Sequence, residues 1–419
     1  MTDRDPGPER PPGAGADHTE VLHGRFLRPF DFFRAVACVC VVAQHAVLWP
    51  VPPSSTFGWA LVMVLHFTRN AFFFLAAFVA CYAQVTRPRT VGGLWWRRLT
   101  QVLVPFAFWT AAYFVYTVAT SSVPAGQAIN LLWHDAWFGY YQLYFVIVLV
   151  QLYVLLPLLV PLVVRARRVA GWVLLASFAL QLAMVSLSHY ASWRSGAPGT
   201  VRNVDEILLT SRVLLGYQFY VLAGLFAAVY AGPLGRFVAR QWSRITVAAG
   251  ALFVLALGYY AFGLAAGQTP GHASDLYQPV ATVWFCGAIA GLYALGWRWA
   301  QAVDGRPGGR GDRLVTWGSD ISGGMFFAHV LVLQVLLLGL DHTALEADAG
   351  WGALAVVLFV GTVVVTASLV TFARRTPLRL VLTGPDRTAQ RASLRWWPAL
   401  AAAVWRPSAR PRAVTTAAR

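Results

Sequence analysis

Long apolar segments recur along most of the chain and are separated by short polar connections. A helix that crosses a bilayer needs about 20 predominantly apolar residues, and ten windows of the sequence are close to or above that length. They lie at 28–50, 57–85, 99–120, 141–164, 169–190, 212–231, 245–266, 278–298, 319–340 and 351–373. The pattern predicts an all-α, polytopic membrane bundle with about ten transmembrane helices.

The composition favours a membrane protein and argues against a nucleic-acid partner. Of the 419 residues, 58% are hydrophobic and only 12% are charged, whereas soluble domains carry about 25% charged residues. The net charge is +16, but the basic residues are spread between the apolar windows rather than gathered on one domain. We therefore expect the lipid bilayer as a partner and no nucleic acid. The four cysteines show no metal-ligand spacing, so no metal site is expected.

Arginines alternate between successive connections. The connections 50–55 and 121–140 contain none, whereas 87–98 and 165–168 contain several. Because short cytosolic loops carry the excess of basic residues, we predict that both termini and every even-numbered connection are cytosolic. The expected location is the cell membrane, as a multi-pass protein of the bacterial plasma membrane.

The same pattern divides the chain into three regions. Residues 1–27 are rich in proline, glycine and acid, which predicts a disordered cytosolic tail. Residues 28–373 form the predicted ten-helix membrane domain. Residues 374–419 form a basic cytosolic C-terminal tail, whose aromatic and apolar patch at 394–405 either lies on anionic lipid or is disordered with the rest.

The first apolar window contains both a cation and a titratable base. Arg34 and His45 are eleven residues apart, so on a helix they leave nearly the same face, about 16 Å apart along the axis. An intramembrane charge is expensive and marks a candidate functional site. The predicted topology puts Arg34 near the cytosol and His45 nearer the outer face. Asp31, three residues before Arg34, could simply form an intrahelical ion pair with it.

Three later windows also contain polar side chains. Arg69 lies near mid-bilayer, where an unpaired charge costs about 2.5–3.5 kcal/mol, so it must face a cavity, a partner or an anionic ligand. Gln142 and Tyr144 could line a polar cleft or only bond between helices. His329 is equally compatible with a functional role and with packing.

Two arginines lie directly before the third window and follow two tryptophans. Arg97 and Arg98 follow Trp95 and Trp96, and together these side chains could hold the phosphates and the base of a nucleotide-bearing ligand. Anchoring of the helix at the membrane surface explains them as well. The sequence has no phosphate-binding loop, no zinc-protease helix and no nucleophile elbow.

Taken in order, these motifs resemble the acyltransferase-3 family, integral-membrane proteins that O-acylate glycans and related acceptors. The resemblance covers about residues 28–373. It rests on Asp31 and Arg34 followed by His45, and on the segments 69–74, 96–109, 144–157 and 322–329. The chain departs from the family pattern at Ala76 and Ala77, where a Ser-Gly pair is usual, at Gln142, where many members have His, and at Gln101, where many have a second Arg.

The resemblance implies an O-acyltransferase with no bound cofactor. Acyl-CoA, usually acetyl-CoA, would be the cytosolic co-substrate, and the acceptor would be a hydroxyl of a glycan, a glycolipid or a related molecule. His45 is the expected general base, since a neutral imidazole has an ordinary pKa of about 6.5 and accepts a hydroxyl proton. Arg34 and Arg69 would hold donor phosphates or stabilise the oxyanion, and Arg97 and Arg98 would contact CoA phosphates.

The remaining candidates for donor or substrate binding that the resemblance implies are Asp31, Gln142, Tyr144 and His329. Two other functions stay open from the residues. The first is a multi-span transporter or flippase that uses the same intramembrane arginines and histidine as a relay. The second is a catalytically inactive family member, which the change at Ala76 and Ala77 keeps open.

Overall fold

The computed structural model describes residues 27–121, 124–195, 212–304, 308–340 and 342–384. Regular structure in these ranges is helical throughout, with no strand, which confirms the all-α prediction. The α-helices are α1 Pro29–Leu48, α2 Thr56–Leu65, α3 Phe67–Thr86, α4 Val91–Thr120, α5 Ala125–Phe138, α6 Tyr144–Arg165, α7 Ala170–Ser195, α8 Gln218–Val229, α9 Ala231–Ala265, α10 Pro270–Ala273, α11 Pro279–Asp304, α12 Arg310–Gly339, α13 His342–Ala373 and α14 Arg379–Thr383. Short 3-10 turns occupy Tyr141–Leu143, Ala166–Val169 and Leu214–Tyr217.

The helices are long and apolar enough for a polytopic membrane protein. Within the described residues, eight stretches meet the length and composition of a membrane span. One of them, Tyr141–His189, contains both α6 and α7, and Leu214–Val229 is a shorter apolar helix. All ten predicted windows fall on helix. The cytosolic location of the termini stays a prediction.

Several helices extend beyond their apolar windows. Helix α4 begins at Val91, α9 at Ala231 and α12 at Arg310, so arginine-bearing connections form the first turns of these helices. Arginine is a good helix former, whereas hydropathy measures only the part of a helix that lies in the bilayer core. The second window, in contrast, contains two helices rather than one long helix, with the break at His66. At this break the Thr68 hydroxyl donates to the Leu65 carbonyl at 3.1 Å, and this bond competes with the backbone hydrogen bonds of a continuous helix.

Helix α1 lies in the middle of the bundle and contacts α2, α3, α11, α12 and α13. Phe30 packs between Phe78 and Tyr293, with ring centroids 4.3 and 4.9 Å away. Further along, Cys38 lies 3.9 Å from the carbonyl of Ser322 and from the sulfur of Met325 on α12. These contacts set α1 and α12 side by side and parallel. We call the two ends of this pair the Asp31 end and the His45 end.

The helix α14 lies inside the region predicted as a C-terminal tail and packs on the bundle. The indole of Trp109 on α4 donates to the Leu382 carbonyl at 2.9 Å, and Thr383 is buried. The N-terminal tail up to residue 26 and the chain from 385 onward lie outside the described residues. Their predicted disorder and cytosolic location therefore stay predictions.

Candidate active site

Two histidines meet at the His45 end of α1 and α12. Their rings are 5.3 Å apart between centroids, His45 is 8% exposed, and His329 is fully buried. The parallel packing of α1 and α12 brings the two histidines to the same level along the helix axes, although they are 284 positions apart in the sequence. Two of the predicted site residues therefore form one cluster.

The hydrogen bonds of His329 define its tautomer. Its Nδ1 lies 2.9 Å from the carbonyl oxygens of both Met325 and Phe326. Carbonyl oxygens only accept, so Nδ1 carries the proton and Nε2 keeps a lone pair. That Nε2 is buried and has no hydrogen-bond partner. The cluster thus contains an unsatisfied acceptor close to His45.

A tyrosine that the sequence did not single out completes the cluster. The Tyr141 hydroxyl lies 3.5 Å from His45 Nδ1, and its ring lies 5.3 Å from the His45 ring and 5.4 Å from the Trp49 ring. In the tautomer with its proton on Nδ1, His45 would donate to the Tyr141 oxygen and keep the lone pair of Nε2 for another molecule. In a neutral imidazole the nitrogen without the proton is the basic one.

The turn that carries Tyr141 has an unusual backbone. Tyr141 has φ +38°, in the left-handed region that non-glycine residues rarely adopt, at a cost of about 1–3 kcal/mol. Gly139 has φ +76°, and a Cβ there would lie 2.3 Å from the Tyr144 backbone nitrogen, so only glycine fits. Just before the turn, burial raises the pKa of the Asp135 carboxyl above its usual value, while His134 opposes the rise. This strained turn directs Tyr141 toward His45.

Gln142 holds the same turn against the bundle. Its side-chain nitrogen donates to the Tyr113 hydroxyl and, at 3.4 Å, to the Phe327 carbonyl on α12. The Tyr113 hydroxyl also donates to the Phe327 carbonyl at 2.9 Å. The Gln142 oxygen is buried without a partner. These contacts are interhelical, which is one of the two interpretations that the sequence left open for this residue.

A second buried polar pair flanks His45. The Gln44 amide nitrogen donates to His66 Nε2 at 2.9 Å, and His66 Nδ1 donates to the Val62 carbonyl at 2.7 Å. The Thr68 hydroxyl donates to the Gln44 oxygen at 3.4 Å. This pair joins α1 to the break between α2 and α3.

Arg69 faces a small cavity of its own. The guanidinium lies 5.2 Å from the centre of the Tyr217 ring, and it interacts electrostatically with Tyr144 and Tyr277. Its Nε is buried and has no hydrogen-bond partner. The cavity measures about 20 Å³ and is also lined by Asn70, so it has room for about one water molecule. Of the three surroundings predicted for Arg69, the structure provides a cavity, with tyrosines around the cation.

The Asp31 end of α1 carries a set of polar contacts with α12 and α13. The Ser319 hydroxyl donates to the Asp31 carboxylate at 2.9 Å, and Arg28 pairs with Asp312 at 3.0 Å. Asp320, the other acid close to a predicted span, lies 3.8 Å from Arg374. The Asp31 and Arg28 contacts hold the start of α1 against α12, and the Asp320 contact joins α12 to the end of α13. Arg34 follows Asp31 by about one turn and is half-buried.

Arg97 and Arg98 lie in the first turns of α4. Arg98 approaches the Val79 carbonyl at 3.5 Å and covers the Tyr153 ring at 5.8 Å. Arg97 is half-buried and experiences the repulsion of Arg89 and Arg98. The positive charges of Arg89, Arg97 and Arg98 thus lie together at the start of α4, where they would attract an anionic ligand.

The predicted residues therefore fall into three groups: the His45–His329 cluster, the Arg69 cavity with Tyr144 as an electrostatic neighbour of the cation, and the cations near the starts of α1 and α4. The sequence did not reveal Tyr141, the Gln44–His66 pair or Tyr217. The signals for Tyr141 were its position two residues after Gly139 and its place next to Gln142, and the positive φ of a tyrosine cannot be inferred from residue types.

These features define a class of protein. The chain is a polytopic helical membrane protein with a buried histidine cluster on its central helix. The family model described as an acyltransferase domain matches residues 29–372, which include α1 through most of α13. The chain belongs to the acyltransferase-3 family. No curated protein and no solved structure matches it.

Proposed function

We propose that this protein is an O-acyltransferase that moves an acyl group, acetyl first of all, from cytosolic acyl-CoA to a hydroxyl of a glycan, glycolipid or related acceptor. Membership of an acyltransferase family supports the general activity. The observation that carries the finer proposal is the position of His45, whose ring lies 5.3 Å from the rings of both Tyr141 and His329 and whose Nδ1 lies 3.5 Å from the Tyr141 hydroxyl. A buried neutral histidine with an oriented ring is suited to take a proton from a hydroxyl.

In the proposed reaction, the acceptor oxygen attacks the thioester carbonyl carbon while His45 takes the hydroxyl proton. The new carbon–oxygen bond forms, the carbon–sulfur bond breaks, and the proton passes from His45 to the departing sulfur. The products are the O-acyl ester and free CoA. Because His45 is only 8% exposed, little water reaches it, and this disfavours hydrolysis of the thioester.

The cations would serve the donor. Arg34 is about 16 Å from His45 along α1, so an extended donor could have its phosphates near the Asp31 end and its thioester near the histidines. Arg97 and Arg98 would attract the CoA phosphates at the start of α4. Arg69, whose separate cavity has room for about one water molecule, would act on the reaction through its positive charge at longer range rather than by contact with the oxyanion. The remaining polar candidates, Asp31, Gln142 and Tyr144, would maintain the shape of the site.

The proposal fits the predicted topology. With the start of α1 in the cytosol, acyl-CoA approaches from the Asp31 end and the acceptor from the His45 end. Donor and acceptor then enter from opposite sides of the cell membrane. As the family resemblance implies, acyl-CoA would be a co-substrate and no further cofactor is proposed.

The test uses the purified full chain in lipid vesicles with labelled acetyl-CoA and an extract of glycans and lipids from the organism that encodes it. Label should enter an acceptor as an alkali-labile ester. His45→Ala should lower the rate at least about 100-fold, the usual contribution of a general base. Tyr259→Phe is the control, because this side chain is 41% exposed on α9.

Normal transfer by His45→Ala would remove His45 from the mechanism. No transfer by the wild-type chain, together with movement of a labelled anion or lipid across the vesicle membrane, would favour the transporter or flippase. Absence of both activities would indicate an inactive family member. The melting temperature of each variant shows whether a loss of activity reflects misfolding.

A further inference from the structure

A groove lies directly beyond the histidine cluster at the His45 end of the bundle. It has a volume of about 350 Å³, within the range of about 300–1,000 Å³ typical of ligand sites. Helices α1, α4, α12 and α13 contribute its walls. The lining side chains are Trp49, Pro50, Tyr116, Gln334, Leu337, Leu338 and Leu354.

The groove lies next to the candidate catalytic residues, although none of them lines it. Trp49 follows His45 by about one helical turn, and its ring lies 5.4 Å from the Tyr141 ring. Gln334 follows His329 on α12, about 7.5 Å further along the axis. The Trp49–Tyr141 contact therefore lies between the groove and His45, and these two rings would have to separate for a molecule in the groove to reach His45.

The polar side of the groove suits a hydroxylated group. The Gln334 amide nitrogen donates to the Tyr140 hydroxyl at 2.9 Å, but its side-chain oxygen is buried and has no partner. An unsatisfied buried acceptor is unfavourable, and a hydroxyl donor from a ligand would satisfy it. Trp49 and Tyr116 add aromatic faces, against which the C–H face of a sugar ring can pack.

The opposite side of the groove is apolar and continues onto the outside of the bundle. Leu354 is buried in the wall, whereas Leu338 is 62% exposed. Val115 on α4 and Val335 on α12 are 64% and 53% exposed beside it. In a chain that crosses a bilayer, such a surface contacts lipid chains. The groove thus joins a hydroxyl-binding side to a lipid-facing side.

We propose that this groove binds an amphiphilic acceptor, a polyhydroxylated headgroup carried on a lipid chain, and that the chain lies along Leu337 and Leu338 in the bilayer. The proposal rests on the proposed function, since it identifies the acceptor of that reaction. Gln334 accepts a hydrogen bond from the headgroup, and Trp49 guides the reacting hydroxyl toward His45. A free water-soluble glycan would leave the apolar side of the groove unused.

The test divides the extract into a chloroform-soluble fraction and a water-soluble fraction and offers each to the reconstituted protein with labelled acetyl-CoA. Ester label is expected in the chloroform-soluble fraction. Leu338→Ser should raise the KM for that acceptor by roughly fourfold or more, the effect of losing about one buried methylene contact, with the KM for acetyl-CoA unchanged. Leu175→Ser is the matched control, because Leu175 is 56% exposed on α7, away from the groove.

The outcomes separate the two proposals. Label confined to water-soluble glycans, with His45→Ala inactive, would overturn the lipid-linked acceptor and leave the acyltransferase intact. Equal KM values for Leu338→Ser and Leu175→Ser would also remove the groove from acceptor binding. If neither fraction accepts label, the proposed function itself fails, and the acceptor site fails with it.

Discussion

A close backbone contact between α11 and α1 makes Gly296 a sensitive position. A Cβ added at Gly296 would lie 2.4 Å from the Pro29 carbonyl oxygen and 3.2 Å from its carbonyl carbon. Ordinary van der Waals contacts of this kind begin at 3.4 Å, so Gly296→Ala forces the helices apart by about 1 Å. The contact is with backbone, which cannot move aside as a flexible side chain would.

The expected effect is the balance of two free-energy terms. Overpacking in a well-packed core costs about 1–3 kcal/mol, and a rigid backbone contact places this case near the upper value. Alanine recovers up to about 1 kcal/mol of helix propensity relative to glycine. The net loss of unfolding free energy for Gly296→Ala should therefore be about 1–2 kcal/mol.

The matched control is Gly258→Ala on α9, where no heavy atom lies within 4 Å of the added Cβ. That variant keeps the gain in helix propensity without the steric cost, so it should be as stable as the parent or slightly more stable. The assay is reversible unfolding in mixed micelles, followed by the fluorescence of the 18 tryptophans. Because α1 carries Arg34 and His45, its displacement should also lower acyl transfer.

Equal unfolding free energies for Gly296→Ala and Gly258→Ala would contradict a steric clash between Gly296 and Pro29. Equal stability would mean that α11 can move away from α1 without loss of packing. A stability loss without any loss of transfer would show that the displacement stays at the Asp31 end. In that case the steric clash would be confirmed, but its expected effect on acyl transfer would be wrong.

Two further predictions concern the site. Tyr141→Phe keeps the ring between His45 and Trp49 but removes the hydroxyl, so kcat should fall about 2- to 12-fold, which corresponds to the net free energy of one hydrogen bond, with little change in the KM for acetyl-CoA. Tyr259→Phe on the exposed face of α9 is the control, and an unchanged kcat for Tyr141→Phe would show that the hydroxyl does not position His45. Arg34→Lys should reduce kcat/KM about tenfold or more if a planar, two-pronged cation is needed, and full activity would show that Arg34 acts as a simple point charge.

Much of the fold follows from patterns that the sequence displays locally. Each apolar window became helix because a membrane segment must satisfy its backbone hydrogen bonds internally. The eleven-residue spacing of Arg34 and His45 put both on one continuous helix, Pro29–Leu48. The helix starts were less predictable, because arginine-bearing turns such as those at the beginning of α9 are polar yet favour helix.

The grouping of the site depended on contacts between distant segments. His45 and His329 are 284 positions apart in the sequence, and only the packing of α1 against α12 brings their rings together. The position of Arg69 in a separate cavity could not be inferred either, since helical spacing does not say which neighbour a side chain faces. The direction of Tyr141 depends on two left-handed residues in one turn, and that conformation is imposed by the surrounding helices.

The sequence by itself determined that this chain is a helical membrane protein of the acyltransferase-3 type, with a cation and a base on one helix face. Hydropathy, arginine placement and helical period are local properties, and they are readable without a structure. Tertiary structure decided which polar residues meet, where the cavities lie and what flanks His45. Those features arise from the packing of helices far apart in the chain, where close contacts such as that of Gly296 with Pro29 select one arrangement among many with the same local pattern.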